Sequence, residues 1–153
     1  MHDIDPDLHF DVEGLLPHDY IDEVGVRLSM YKRLSGAADE AEVMHLAAEI
    51  EDRFGPAPAA AVRLVELMRL KVELRRLRVL VCEATSTAVS LRFAEDTPLD
   101  VAKLAGLVAQ QRAKYRLSPD GRLTRRRKDG ERVSDSLALA DKMLDELRAL
   151  LDA

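Results

Sequence analysis

The stretch from 57 to 78, "APAAAVRLVELMRLKVELRRLR", limits the possible folds more than any other part of the chain. At about 100° per residue, Ala61, Leu64, Val65, Met68 and Val72 fall on one line of a helix, and Leu67, Leu70, Leu74 and Leu77 on another. A helix apolar over more than half its circumference has to be covered on more than one side, so it is expected at the centre of the domain. After Arg78 the period changes. "VLVCEATS" and "AVSLRFAE" are short, β-branched and separated by a polar turn, which predicts a hairpin. The chain therefore divides into a helical part, about 20–78, and an α+β part, about 79–153.

Upstream of the central helix, Leu8, Phe10 and Val12 alternate with polar neighbours and predict a strand, stopped by Pro17. A helix follows over Tyr20–Leu34, with Val24, Leu28 and Tyr31 as its inward face and Gly36 closing it. The next runs from Asp39 to Phe54. Asp39 and Glu42 have capping-box spacing, Val43, Leu46, Ala47, Ile50 and Phe54 form the inward stripe, and Gly55 and Pro56 end it. Downstream of the hairpin come a helix over Leu99–Gln111, a second hairpin turning at Pro119, Asp120 and Gly121, and a final helix capped by Ser134. In that last helix Leu137, Ala140, Leu144, Leu147 and Leu151 recur at three and four. The fold class is α+β: a helical N-terminal half followed by a β-β-α-β-β-α unit with a small, mostly antiparallel sheet.

A length of 153 residues fits one domain, and 47% apolar with 33% charged residues is the composition of a folded, soluble one. Three Phe, three Tyr and no Trp leave the core aliphatic. No apolar run approaches the roughly 18 residues of a membrane span, and "MHDIDPDLHF" has neither the basic nor the apolar region of a signal peptide, so no membrane contact and a cytoplasmic location are expected. The one cysteine, Cys82, lies in the apolar run "RVLVCEA", where a buried structural thiol is expected rather than a nucleophile. There is no Gly-rich phosphate loop, no GxSxG elbow and no zinc spacing, and His2, His9, His18 and His45 stand in four separate segments. These absences point away from an enzyme, a cofactor and a metal.

Charge is segregated. Residues 1–55 carry fourteen Asp and Glu against four Lys and Arg, whereas 112–132 carry nine basic groups against three acids. Opposed fields on one small domain suggest contacts with other surfaces rather than a substrate pocket. Within the acidic half, Glu42, His45, Glu49 and Asp52 form a second stripe on the helix that ends "EIEDRFGPAP". Acids in a last helical turn oppose the macrodipole by roughly 0.3–1 kcal/mol each, so something beyond helix stability is expected to keep them there. In the basic half, Arg122, Arg125, Arg126, Arg127 and Lys128, with Arg112, Lys114 and Arg116, form a candidate phosphate-contacting set. Strand alternation sends Arg125 and Arg127 one way and Arg126 the other, and Tyr115 is the one aromatic nearby. An edge-protecting, solvated hairpin is the first reading, and a nucleic-acid or RNA polymerase contact the second.

Three motifs then occur in order: "LPHDY" at 16–20, "RLSMYKRL" at 27–34 and "DRFGPAP" at 52–58. Together they resemble the C-terminal domain of bacterial transcription-repair coupling factors, the Mfd family, over Leu16 to about Lys71, and by element order and the "LRF" of 91–93 over the remainder. Where the family has Leu-Gly-Ile this chain has Leu77, Arg78 and Val79, and where it has a Gly pair this chain has "STAV". The resemblance implies a single regulatory domain, a fragment of a multi-domain, ATP-driven DNA translocase that removes stalled RNA polymerase and recruits the excision-repair protein UvrA. It implies that the domain is no enzyme, and that it packs on a UvrB-like N-terminal module of the same protein and covers the surface UvrA binds. Carboxylates on the helix before "DRFG" hold that closed state in the family, and the motif carries them onto Glu49 and Asp52. Glu42 and His45 share the stripe and join the candidates on geometry alone. UvrA and RNA polymerase are indirect partners in this reading, and nucleic acid is not expected for the domain by itself.

Overall fold

A computed structural model describes residues 4–151; His2 lies outside them. The elements run β1 (Asp7–Phe10), α1 (Val24–Ser35), α2 (Glu40–Phe54), α3 (Ala59–Arg76), β2 (Val79–Ala84), β3 (Ala88–Phe93), α4 (Val101–Gln110), β4 (Tyr115–Leu117), β5 (Arg122–Arg126) and α5 (Ser136–Leu151). This is the expected α+β class. The chain forms two compact units, one of residues Val12–Val72, the other of the segment up to Asp11 together with everything from Glu73 on. The division falls inside α3 rather than after it, and the opening strand belongs to the α+β unit.

In the helical unit, Leu16, Ile21, Met30, Leu34, Val43, Leu46, Ile50, Ala61, Leu64 and Val72 form the core. Its aliphatic character follows from the composition. The residues that carried the motifs lock this unit together. Tyr20 Oη donates to the Gly55 carbonyl at 2.6 Å, and its ring meets the edge of Phe54 with centroids 6.1 Å apart. Tyr31 Oη accepts from Leu16 N at 2.6 Å. Gly55 adopts φ 93°, a conformation that favours a residue without Cβ, and this lets the chain leave α2 toward Pro56.

The inward face of α1 is not the one the spacing suggested. Val24 and Leu28 are 57% and 60% exposed, while Met30 and Leu34 are buried and Val26 packs against them. Apolar residues occur on both sides of this short helix, about 200° apart, and periodicity alone does not choose between the sides. For α2 the expected stripe holds at Val43, Leu46 and Ile50, all buried. Asp39 Oδ1 accepts from Glu42 N at 2.8 Å as expected, but Glu42 Oε2 reaches back to Ala38 N, one residue before the cap.

In the α+β unit the sheet order is β1-β2-β3-β5-β4, parallel only between β1 and β2. Helix α5 packs on β2 and β3, and α4 on β4. Val79, Cys82, Ala84, Val89, Leu91 and Leu123 form the buried sheet face, and α5 answers with Leu139, Ala140, Met143, Leu144 and Leu147. Burial, then the nearby Glu83 carboxylate, pushes the Cys82 thiol up to about 12, which leaves it protonated and inert at neutral pH. Helix α5 is capped by Asp135, whose Oδ1 accepts from Ala138 N at 2.9 Å, not by the neighbouring Ser134. Between α3 and β2, Arg78 has φ 57°, a left-handed conformation that favours a residue without Cβ.

Candidate functional site

Steps of three and four along α2 bring Glu42, His45, Glu49 and Asp52 together on one flank of its buried stripe. Glu42, His45 and Asp52 are exposed and Glu49 is half-buried. The four are not equivalent. Arg33, in the last turn of α1, holds Glu49 bidentately, with Nη1 to Oε2 at 2.5 Å and Nη2 to Oε1 at 3.0 Å. That hydrogen bonding holds the Glu49 carboxyl below its ordinary value against a smaller opposing effect of burial, and it raises the Arg33 guanidinium. Glu42 is engaged in the helix cap. His45 lines a shallow surface groove of ≈ 360 Å³ with Lys32, Arg33, Gly36, Glu42 and Leu46. Asp52, one turn beyond Glu49, has no hydrogen-bond or ion-pair partner among the described residues.

The arrangement thus gives one carboxylate pre-oriented by an internal guanidinium and a second presented bare to solvent. A carboxylate offers about four lone-pair directions, and a bidentate arginine takes two, so Glu49 retains capacity for a second donor from outside. The sequence carried a signal for Arg33, a basic residue in the last turn of the preceding helix. The pairing itself depends on how α1 and α2 pack, which spacing does not encode.

The basic hairpin divides differently. Arg125 is 1% exposed and withdrawn from the surface, which removes it from the contact set. It is in phase with Leu123 on β5, so its side chain enters the face that α5 covers. There it meets Glu131 bidentately at 2.6 and 2.7 Å, and its Nε donates to Glu146 Oε1 at 3.0 Å. Tyr115 Oη and Lys114 Nζ complete the shell of Glu146, each at 2.7 Å. Hydrogen bonds from Arg125 drive the Glu131 carboxyl far below its usual range. Burial would raise Glu146, but donation from Lys114, Tyr115 and Arg125 outweighs it and the net shift is downward. Burial, then Glu146, raises the Tyr115 phenol. Arg122 and Arg126 stay exposed on the opposite sheet face, and Arg127 and Lys128 are exposed beyond the strand. Neither Glu131 nor Glu146 was singled out from the sequence: Glu131 is six residues from Arg125 but past the end of β5, and Glu146 is twenty-one away, on α5.

Among the described residues no group of three or more His, Cys, Asp or Glu is placed to hold a metal ion, and no helix is long and apolar enough to cross a membrane.

A family model described as the TRCF domain matches residues 10–104. The transcription-repair-coupling factor of Myxococcus xanthus is 39% identical over 144 residues, 94% of this chain and 12% of that protein. Its counterpart from Escherichia coli (strain K12) is 36% identical over 110 residues, 72% of this chain and 10% of that protein. The chain therefore spans a small part of the curated relatives it matches. A crystal structure of the C-terminal domain of transcription-repair coupling factor aligns with TM-score 0.72 over 95% of both chains at 19% identity, a likeness of fold.

Proposed function

This chain belongs to the TRCF domain family, and we propose that it is the autoinhibitory regulatory domain of a transcription-repair coupling factor. In this reading it docks on the UvrB-like N-terminal module of the same protein and masks the UvrA-binding surface until RNA polymerase engagement separates the two. The domain carries no reaction of its own, and it works in the cytoplasm as part of a protein that acts in DNA repair.

The observation that supports this reading is the α2 face, where Glu49 and Asp52 stand one turn apart and Asp52 lies in the last turn, which disfavours anions. Incoming guanidinium groups of the covered module relieve that arrangement. Asp52 is the primary contact, because it is bare. Glu49 is the pre-oriented one, because Arg33 fixes its rotamer. A switch must also release: moving a closed state from 99:1 to 1:99 takes about a 10⁴-fold differential in binding, so a few exposed ion pairs with modest apolar contact suit a latch better than a buried lock.

The test is charge reversal in the full-length factor. Glu49→Arg with Asp52→Arg is expected to tighten UvrA binding about tenfold without polymerase, a coupling of ordinary size. Asp52→Arg alone carries most of the effect. Unchanged UvrA affinity in the double variant overturns the latch. A second measurement works on this chain itself: a separately produced UvrB-like module should bind it in trans, and more weakly after Asp52→Arg.

A further inference from the structure

The α+β unit has one helix-covered sheet face and one open face, and the strand register decides what the open face carries. Arg92 pairs across to Arg122, Ser90 to Thr124, Ala88 to Arg126, and Thr124 in turn to Arg116. Directly opposed residues project to the same side of a sheet. Arg92, Arg116, Arg122 and Arg126 therefore stand together on that face and are all exposed, around the half-buried hydroxyls of Ser90 and Thr124. Among the described residues none of the four guanidinium groups has a carboxylate within ion-pair distance. Elsewhere in the same unit Arg125, Arg78 and Arg148 all do. Thr124 Oγ1 donates to Ser90 Oγ at 3.5 Å, which leaves the Ser90 proton for an outside acceptor. A depression of ≈ 160 Å³ lies here, lined by Val81, Glu83, Ser90, Arg92 and Arg122.

We infer that this open sheet face is a binding surface for the phosphate backbone of duplex nucleic acid, with Arg92, Arg116, Arg122 and Arg126 as its phosphate contacts and the Ser90 hydroxyl as a neutral donor between them. The charge selects a polyanion. Two features select nucleic acid among polyanions. Protein hot spots are built on Trp, Tyr and Arg packed into desolvated pockets, whereas these four arginines are exposed and stand around hydroxyls. Single strands are held on aromatic platforms, and no ring stands among these four arginines, which leaves the backbone of a duplex. The net charge of −5 does not oppose this, because a Debye length of about 8–10 Å confines each field to its own surface. Two carboxylates border the cluster. Glu83 lies on the next strand, and Asp120, on the hairpin turn, is held by Ser118 Oγ and feels Arg122 and Arg92 only through space. They set the limit of the surface and orient the duplex toward β5 and β4.

The experiment is a fluorescence-anisotropy titration of the 153-residue chain with a labelled random-sequence DNA duplex at several salt concentrations. Four phosphate contacts give a slope of about −3.6 in log K against log salt, an affinity loss of about 150-fold between roughly 50 and 200 mM. Arg92→Ala, Arg116→Ala, Arg122→Ala and Arg126→Ala each reduce the slope by about one, and the quadruple variant abolishes the salt-dependent binding. Arg112→Ala with Arg132→Ala, equally basic positions off this face, leaves the slope unchanged. Circular dichroism confirms that the quadruple variant, altered only at exposed positions, is folded. No salt-dependent binding, or a slope that survives in the folded quadruple variant, overturns the inference. So does competition by polyglutamate as effective as that of unlabelled duplex, which would assign the face to an acidic protein.

Discussion

The α2 face and the β5 hairpin are the two charge-rich runs of this chain, and they handle charge in opposite ways. On α2 the acids fall at helical spacing along one flank of the buried stripe, so the core takes a separate line of the helix and the charge stays outside. On β5 the period is two, so once α5 covers one sheet face every second residue must pass beneath it, arginine or not. Arg125 is the residue caught, and it is tolerated because Glu131 and Glu146 meet it. A charge run on a helix can be read as a surface; a charge run on a strand is half surface and half interior. The difference breaks most sharply at Arg125. Arg125→Met leaves two carboxylates facing a covered space and is expected to cost about 3 kcal/mol in urea unfolding, the lower end for breaking a buried pair, since Glu131 and Glu146 keep some access to water. Adding Glu131→Gln and Glu146→Gln to that variant should recover part of the loss. A full-sized Arg125→Met effect on α2 docking instead of on stability would contradict the division.

The same contrast predicts a pH dependence that comes mainly from the α+β unit, because the Glu49 carboxyl of the helical unit, though also held low by Arg33, is paired at the surface where water screens it. Glu131 and Glu146 both have folded carboxyls below their unfolded values, the first through hydrogen bonds from Arg125, the second because donation from Lys114, Tyr115 and Arg125 outweighs burial. For depressed carboxyls the linked stability is fully present above the unfolded value, about 4.3, and is lost as pH falls through the folded values. The urea midpoint should therefore drop between pH 5 and pH 2, and Glu131→Gln should be less stable at pH 7 yet show a smaller drop. An equally steep acid limb in Glu131→Gln would remove this network as its source.

Element types and most boundaries were legible because the period changes abruptly at Arg78 and because caps and turns carry their own chemistry. What remained hidden depends on packing. Val24 and Leu28 offered α1 an apolar face as good as that of Met30 and Leu34, and only the neighbours decide between them. Arg33 and Glu49 are sixteen residues apart, Arg125 and Glu146 twenty-one, and no local pattern links either pair. The cap of α2 was legible because it is local: Asp39 and Glu42 are three apart, and Asp39 Oδ1 accepts from Glu42 N. Asp39→Ala should therefore cost about 1 kcal/mol in thermal or urea unfolding, and it should weaken docking of the α2 face only as far as it frays the helix. Glu42→Gln keeps an acceptor for Ala38 N, so it separates the two roles open to Glu42: docking lost with stability retained would place Glu42 in the contact itself.

The smallest expected effect concerns the residue that joins α3 to the sheet. Arg78 occupies φ 57°, and a side chain there crowds the backbone. Its Nε donates to Asp96 Oδ1 at 2.8 Å, and its carbonyl accepts from Ala94 N at 2.8 Å. The carbonyl bond survives any substitution, because it belongs to the backbone. The ion pair does not, but its aspartate is half exposed and surface pairs contribute little. Arg78→Gly thus exchanges a weak pair for relief of a left-handed side chain, offset by the greater freedom glycine gives the unfolded chain. The net should be a gain of about 0.5 kcal/mol. Arg78→Ala, which loses the pair without gaining the freedom, should be neutral or slightly destabilising. If glycine and alanine behave alike, the left-handed turn stores no cost, and the junction between helix and sheet is set by the contacts of Leu77 and Val79 instead.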